Sequence, residues 1–186
     1  MQWLNRSLVL VVSLWLVACT GPQTTTPRPD KVNALAWAIQ SLGPNVSADE
    51  AMRAADVAYS ESARLAVLYE IEDHPLVHNT KVNLGIKPRG LCYHWADDLE
   101  KRLKREGFET LSLHRAVANF DKISLEHSTV IISARGDGMY EGIVLDPWRK
   151  GGELTWVPTR EDPRYEWIPR EEVFRIRRER RARQSG

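Results

Sequence analysis

The spacing of apolar residues changes at Gly107, and this change constrains the fold more than any other feature of the sequence. Residues 91–106 follow a helical period, because apolar side chains recur three and four positions apart on one face. That face carries Cys92, Trp95, Ala96, Leu99 and Leu103. Gly107 is a natural helix stop, and three strand-like segments follow it, at residues 110–118, 128–134 and 140–146. This order predicts an α+β fold in which the helix packs on an antiparallel sheet.

Two further helices are predicted before this one. Asp30 can cap a short helix that contains the apolar positions of residues 32–39. A capping box at residues 47–50 begins a long helix that is expected to run to about residue 73, because the segment has no Gly or Pro. Residues 75–90 show poor periodicity and are expected to form a connection that leads to the next helix.

The first 18 residues are typical of a bacterial export signal. Arg6 supplies a positive charge, and residues 7–18 form an apolar core that is too short for an ordinary transmembrane helix. The core ends in Leu-Val-Ala-Cys at Cys19, which resembles the lipobox of bacterial lipoproteins. By that resemblance the signal is cleaved before Cys19, the thiol carries diacylglycerol, and Thr20 directs the protein to the outer membrane, facing the periplasm. An uncleaved anchor helix and a plain secretory signal are the alternatives.

Cleavage after residue 18 leaves 168 of the 186 residues, which is enough for one domain. Residues 19–30 contain three prolines and no apolar periodicity, and we expect a lipidated tether there. The domain is expected at residues 31–176, followed by a basic C-terminal tail at residues 177–186.

Charge composition excludes one class of partner. Arg6 leaves with the signal, so 25 basic residues face 25 acidic ones in the mature chain, and this balance argues against a nucleic-acid partner. Residues 170–183 are a local exception, with seven arginines and three glutamates. A solvated, frayed helix end is the expected reading of this segment, and binding to an anionic polymer or lipid surface is the alternative.

Cys92 is the only thiol that remains once Cys19 carries lipid. In an oxidising compartment such a thiol is either packed as a small hydrophobe or kept as a reactive group. Cys92 lies in the first turn of its predicted helix, where free N–H groups and the helix dipole favour a thiolate. The same N–H groups can hold the oxyanion that forms during acyl transfer.

A hairpin signal brings a histidine and a carboxylate together. Residues 134–140 read Ala-Arg-Gly-Asp-Gly-Met-Tyr, which is typical of a tight turn between two strands. A type II′ loop at residues 136–137 sets His127 directly opposite Asp146, whereas a type I′ loop one residue later pairs Asp146 with Thr129. Because side chains alternate along a strand, both registers put His127 and Asp146 on one face of the sheet.

These residues suggest the nucleophile, base and orienting group of acyl-transfer chemistry. Asp146 can accept a hydrogen bond from one ring nitrogen of His127 and leave the other nitrogen facing the Cys92 thiol. An alternative role for Asp146 is to cap the turn that Pro147 begins. His114 is the second candidate for the base, because no hairpin places a partner beside it.

The remaining histidines and tryptophans suggest less. His74 and His78 have the spacing of metal ligands and His94 is near in sequence, but Pro75 interrupts the pair and no second ligand pair has a recognisable spacing. No metal site or cofactor is therefore predicted. Three tryptophans can line a cleft or belong to the core, namely Trp148, Trp156 and Trp167.

The segment Gly-Leu-Cys-Tyr-His-Trp-Ala at residues 90–96 resembles the start of the catalytic helix in the transglutaminase-like branch of the papain-like cysteine superfamily. His127 holds the place of the family's histidine, and Asp146, followed by Pro-Trp, holds that of its aspartate. The likeness covers roughly residues 80–160. It implies a papain-like fold and a catalytic triad of Cys92, His127 and Asp146.

The resemblance further implies a thiol-dependent acyl-transfer enzyme, either a cysteine peptidase or amidase or a transglutaminase-like acyltransferase. Its substrate would be a protein or peptide that donates an acyl group from an amide or ester to water or to an amine. Ser128 replaces the aromatic residue that often follows the family's histidine, and Asn79 and Asn83 are weak candidates for an oxyanion side chain. The alternatives are a catalytically silent binding or scaffolding lipoprotein of the same fold and a structural envelope protein with Cys92 in its core.

Overall fold

The computed structural model describes residues 28–122 and 125–185, so that Cys19 and the predicted signal lie outside the described residues. Five α-helices lie in this part of the chain: α1 Pro29–Gln40, α2 Ala48–Leu68, α3 Pro75–Asn83, α4 Cys92–Lys104 and α5 Arg170–Gln184. Five strands form one antiparallel sheet: β1 Leu111–Ala118, β2 His127–Ala134, β3 Ile143–Asp146, β4 Thr155–Pro158 and β5 Ile168–Pro169. The strand order is β4-β3-β2-β1-β5. The predicted α+β class is confirmed.

Two apolar clusters cover the two faces of the sheet. Helices α1, α2 and α4 pack over one face, where Val130 and Ile132 of β2 meet Leu99 of α4. On the opposite face Ile131 joins a smaller cluster with Trp167. Because side chains alternate along β2, His127 shares the second face with Ile131. His127, the first residue of β2, therefore lies near the start of α4 and at the edge of the smaller cluster.

The start of α2 uses only half of the predicted capping box. The Ser47 hydroxyl accepts a hydrogen bond from the Glu50 N–H at 3.4 Å. The Glu50 carboxylate turns instead to the N–H groups of Glu109 and Thr110, at 2.7 and 2.8 Å. Glu50 thereby joins α2 to the turn that precedes β1.

The end of α2 and the segment after it differ from the prediction. Helix α2 stops at Leu68 rather than near residue 73, because Glu70 adopts a left-handed conformation with φ of 53°. The segment predicted to lack regular structure contains α3. Pro75 suits its first turn, and the His74 ring accepts a hydrogen bond from the Leu76 N–H at 3.4 Å. Helix α3 buries only two side chains, so its sequence lacks the period of an amphipathic helix.

The connection between β2 and β3 is longer than the predicted hairpin. Its register pairs Val130 with Leu145, and the next step along that register sets Thr129 opposite Asp146. This is the second of the two predicted registers, but the two-residue loop is wrong, because a 3-10 turn at Met139–Glu141 separates the strands. Met139 is buried in this turn and joins the smaller apolar cluster.

Helix α5 crosses the predicted boundary between domain and tail at residue 176 without a break. Its buried residue is Val173, and from Arg178 onward its side chains are exposed. Across residues 28–122 and 125–185, no helix is both long and apolar enough to cross a membrane.

Candidate active site

His127 and Asp146 form a buried pair at the adjacent ends of β2 and β3. His127 Nε2 lies 2.6 Å from Asp146 Oδ2, and the two side chains are only 2% and 1% exposed. Asp146 Oδ1 accepts a hydrogen bond from the Trp148 N–H at 3.2 Å. Asp146 thus contacts the imidazole and also caps the turn after Pro147, so the two roles suggested by the sequence coexist.

Cys92 is the first residue of α4 and is half-buried beside this pair. Its Sγ lies 3.6 Å from the carbonyl oxygen of Glu126, the residue that precedes His127. His127 Nδ1 is buried and has no hydrogen-bond partner within the described part of the chain. The Cys92 thiol is close enough to influence the ionisation of the ring. The N–H of Cys92 belongs to the first turn of α4, where intrahelical acceptors are lacking.

The surroundings of His127 favour its protonated form. Burial alone would lower the pKa of His127, but the Asp146 carboxylate and then the Cys92 thiol raise it, to about 9. Burial alone would likewise raise the pKa of Asp146, but His127 and Arg149 hold it below its usual value. Asp146 therefore stays ionised at neutral pH and supports an imidazolium that faces the thiol.

Arg149 and Asp162 extend the pair into a buried chain of charges that sequence reasoning missed. Arg149 Nε donates a hydrogen bond to Asp146 Oδ2 at 2.7 Å. Its guanidinium also binds both carboxylate oxygens of Asp162, one of them at 3.1 Å. Asp162 accepts a further hydrogen bond from Trp167 Nε1 at 2.9 Å. Arg149 follows the Asp-Pro-Trp motif in sequence, but no spacing rule points to Asp162.

Three aromatic rings enclose the imidazole of His127. The ring centroids of Trp148 and Tyr165 each lie 4.6 Å from that of His127, and Trp167 lies at 5.5 Å. Trp148 and Trp167 are buried members of apolar clusters, so they belong to the core, as one of the two predicted roles requires, and they also border the imidazole. Trp156 lies elsewhere, and its indole N–H donates to the Tyr59 hydroxyl at 3.1 Å.

The backbone conformation and the close packing at position 90 explain why the Gly-Leu-Cys motif begins with glycine. Gly90 has a φ of 126°, and a Cβ at this position would collide with the His78 ring. The Trp95 indole N–H donates to the Gly90 carbonyl at 2.9 Å, and His94 Nδ1 accepts hydrogen bonds from Gly90 N–H at 3.2 Å and Leu91 N–H at 3.3 Å. These contacts fix the backbone that leads into Cys92.

The other histidines have separate structural roles. His114 lies on β1, and its Nε2 is 2.8 Å from the hydroxyl of Ser133 on β2. It therefore does not join the cluster around Asp146. His78 Nε2 donates to the Arg89 carbonyl at 2.9 Å. Within the described ranges, no three His, Cys, Asp or Glu side chains are grouped in a way that could hold a metal ion.

Of the two asparagines suggested for the oxyanion, only Asn79 approaches the site. Its Oδ1 accepts a hydrogen bond from Trp148 Nε1 at 3.1 Å, while Asn83 is exposed at the end of α3. Asn79 therefore supports one wall of the site through Trp148.

No family model, curated protein or solved structure matches this chain. Its chemistry must therefore be inferred from its own side chains. A thiol at a helix start, an imidazole with one free nitrogen and a buried carboxylate on the other nitrogen can together perform nucleophilic acyl transfer.

Proposed function

We propose that the protein is a thiol-dependent acyl-transfer enzyme, either a cysteine peptidase or amidase or a transglutaminase-like acyltransferase. The observation that carries the proposal is the 2.6 Å contact between His127 Nε2 and Asp146 Oδ2, which leaves His127 Nδ1 free beside the Cys92 thiol. The buried Nδ1 of His78 also lacks a partner among the described residues, so a free ring nitrogen alone does not support the proposal. His127 differs from His78 in having the Asp146 carboxylate on its other ring nitrogen and the Cys92 thiol close to its ring.

In the first half of the reaction, the Cys92 proton moves to His127 Nδ1, which gives a thiolate and the imidazolium that the Asp146 carboxylate favours. The thiolate Sγ then attacks the carbonyl carbon of the acyl donor. The carbonyl electron pair moves onto oxygen, and the N–H groups of the first turn of α4 stabilise the resulting negative charge. When the carbonyl re-forms, the bond to the leaving amine or alcohol breaks, and that group takes the proton from His127. A thioester on Cys92 remains.

In the second half, water or an amine attacks the thioester and gives its proton to His127. The carbon–sulfur bond breaks, and the thiolate recovers the proton as the acid or the new amide departs. Asp146 holds Nε2–H throughout, so that Nδ1 keeps facing the sulfur. Because one imidazole carries the proton in both halves, its orientation by Asp146 matters in each step.

The proposed enzyme has a papain-like fold and works in the bacterial envelope. The papain-like fold is supported by the order Cys92, His127, Asp146 and by the packing of α4 on the sheet. The location is supported by the lipobox-like sequence that ends at Cys19, which implies a lipid anchor in the outer membrane facing the periplasm. The substrate would be a protein or peptide that offers an amide or ester in that compartment.

Covalent capture by electrophilic acyl probes tests this function. The protein should form a thioester adduct at Cys92, located by peptide mass, and Cys92→Ser should form none while its free energy of unfolding changes little. His114→Ala is the matched control and should be captured like the wild type. A protein that alkylates readily at Cys92 yet forms no acyl adduct with a panel of acyl groups would instead be a silent binding or scaffolding lipoprotein.

A further inference from the structure

Helix α3 presents an apolar face to solvent. Leu76, Val77 and Leu84 are 54%, 49% and 69% exposed. Together with Thr80 they lie on the side of the helix opposite its buried residues, because positions 76, 77, 80 and 84 share one face at the helical period. We call these four residues the α3 apolar face. Exposed groups of this kind in a small domain are typical of interaction surfaces.

The α3 apolar face lies at the end of the molecule where the chain joins the predicted tether. The Lys31 ammonium in the first turn of α1 contacts Glu153 at 2.7 Å. Two residues before Glu153, a Cβ on Gly151 would lie 3.1 Å from Ile71 and 3.9 Å from the Asp73 carbonyl, immediately before α3. The first turn of α1 and the start of α3 are therefore joined through one short loop.

Both lysines beside the face form ion pairs with acidic residues. Lys81, on α3 itself, binds Asp73 at 2.5 Å, and Lys87 binds Glu70 at 2.7 Å. Glu72, whose carboxylate lies 3.6 Å from the same Lys87 ammonium and whose side chain is 69% exposed, leaves one acidic group in excess beside the face.

We infer that the α3 apolar face docks on the lipid bilayer that holds the predicted Cys19 anchor. The inference rests on the anchored enzyme proposed above. Pro29 lies ten residues after Cys19, and a chain of that length spans at most about 35 Å, so the start of α1 stays within that distance of the bilayer. The anchor supplies the affinity, and the apolar face fixes which side of the domain meets the lipid.

Docking in this way would bring the active site close to the membrane. Asn79 lies on α3 and bonds Trp148, which packs on His127. The acyl donors that reach Cys92 would then be ones held at or near the bilayer surface, such as peptide segments close to a lipid anchor.

A fluorophore placed on the face tests the inference. The full-length lipidated chain in a Cys92→Ser background, with Leu84→Cys carrying an environment-sensitive dye, is placed in vesicles of phosphatidylethanolamine and phosphatidylglycerol. We expect a blue-shifted emission and loss of most intensity to a lipid-borne quencher. Met52→Cys is the matched control, because Met52 is an exposed apolar residue near the start of α2. It lies 16 positions before Leu68, the last residue of α2, and so about 24 Å from Leu68 along the helix. A dye at position 52 should keep the emission of a dye in water and should not be quenched from the lipid.

Several results would overturn the inference. If the dye at position 84 stays in water on vesicle-bound protein, the face does not dock on lipid and a protein partner is the remaining occupant. Equal quenching at positions 84 and 52 would show that the domain has no preferred orientation on the bilayer. Protein that does not stay on the vesicles would remove the anchor and the docking together. The acyl-donor test of Cys92 is independent of all three, because the dye experiment uses a chain without that thiol.

Discussion

Asp146 and three neighbouring buried side chains form a group of four whose charges balance. His127 and Arg149 are the cations, and Asp146 and Asp162 are the anions, with side-chain exposures between 0% and 7%. The set is neutral only when His127 is protonated. This explains in physical terms why the pKa of His127 is raised, to about 9, although burial by itself acts in the opposite direction.

Removing the groups around the imidazole should separate the two candidate bases. We expect His127→Ala and Asp146→Asn each to lower turnover of an acyl substrate by about 10² to 10⁴-fold, because the proton acceptor or its orientation is lost. The double variant should be little worse than either single one, since the groups act as a unit. His114→Ala should stay close to wild type in kcat/KM. Loss of activity in His114→Ala with retention in His127→Ala would reassign the base.

The raised pKa of His127 also predicts how stability depends on pH. A histidine whose folded pKa lies above its unfolded value of about 6.5 stabilises the fold fully below that pH and loses this contribution as the pH rises through about 9. Urea unfolding between pH 6 and 10 should show a decline on the order of 3 kcal/mol from this group. In Asp146→Asn the decline should shrink, and an undiminished decline there would assign it to another residue.

Arg149 should matter for stability far more than a nearby exposed arginine. Arg149→Met leaves the Asp146 and Asp162 carboxylates buried near each other, so we expect a loss of about 3 to 5 kcal/mol in the free energy of unfolding. Arg164 is exposed and forms no salt bridge with the described residues. Arg164→Met should therefore change stability by less than about 0.5 kcal/mol. Equal effects of the two changes in denaturant titrations would contradict the buried network.

At the scale of elements, α4 depends on the turn that precedes it. Gly90→Ala should destabilise the fold by about 1 to 3 kcal/mol and slow alkylation of Cys92, because a side chain there needs an unusual φ and meets His78. Gly107→Ala, at the other end of α4, is the control. Its φ is 62° and nothing lies within 4 Å of an added Cβ, so it should cost only about 1 kcal/mol and leave the thiol unaffected. Similar thiol reactivity in both variants would separate the Gly90 turn from the site.

Sequence periodicity predicted α4 and the shared face of His127 and Asp146, because both follow from repeats of 3.6 and 2 residues. The predicted end of α2 was wrong, because Glu70 adopts a left-handed conformation that no sequence motif indicates. Sequence periodicity also missed α3, whose short buried face gives no period. The partnership of Arg149 with Asp162 depends on how the chain returns after β4, which is a tertiary property without a local signal.

At the scale of the whole molecule, the helices α1, α2 and α4 cover one face of the sheet and the cluster around Trp167 covers the other. Of the three proposed triad side chains, His127 and Asp146 are buried and Cys92 is half-buried. Function in the proposed compartment then depends on the anchor. Cys19→Ala should leave an unlipidated precursor or misprocessed product, seen as loss of lipid labelling and a changed mass. Thr20→Ala is the control and should keep the label. Normal lipid labelling of Cys19→Ala would exclude this anchor.

The central claim is that Cys92 is a reactive thiol activated by His127 and Asp146. The most direct measurement is the rate at which iodoacetamide alkylates Cys92 in the native protein at pH 6, followed by peptide mass, since an isolated cysteine is almost entirely protonated at that pH. We predict fast alkylation in the wild type and in His114→Ala, and a rate more than about 10-fold lower in His127→Ala and Asp146→Asn. Alkylation of the wild type that occurs only after unfolding would contradict the account, and would make Cys92 a residue of the core.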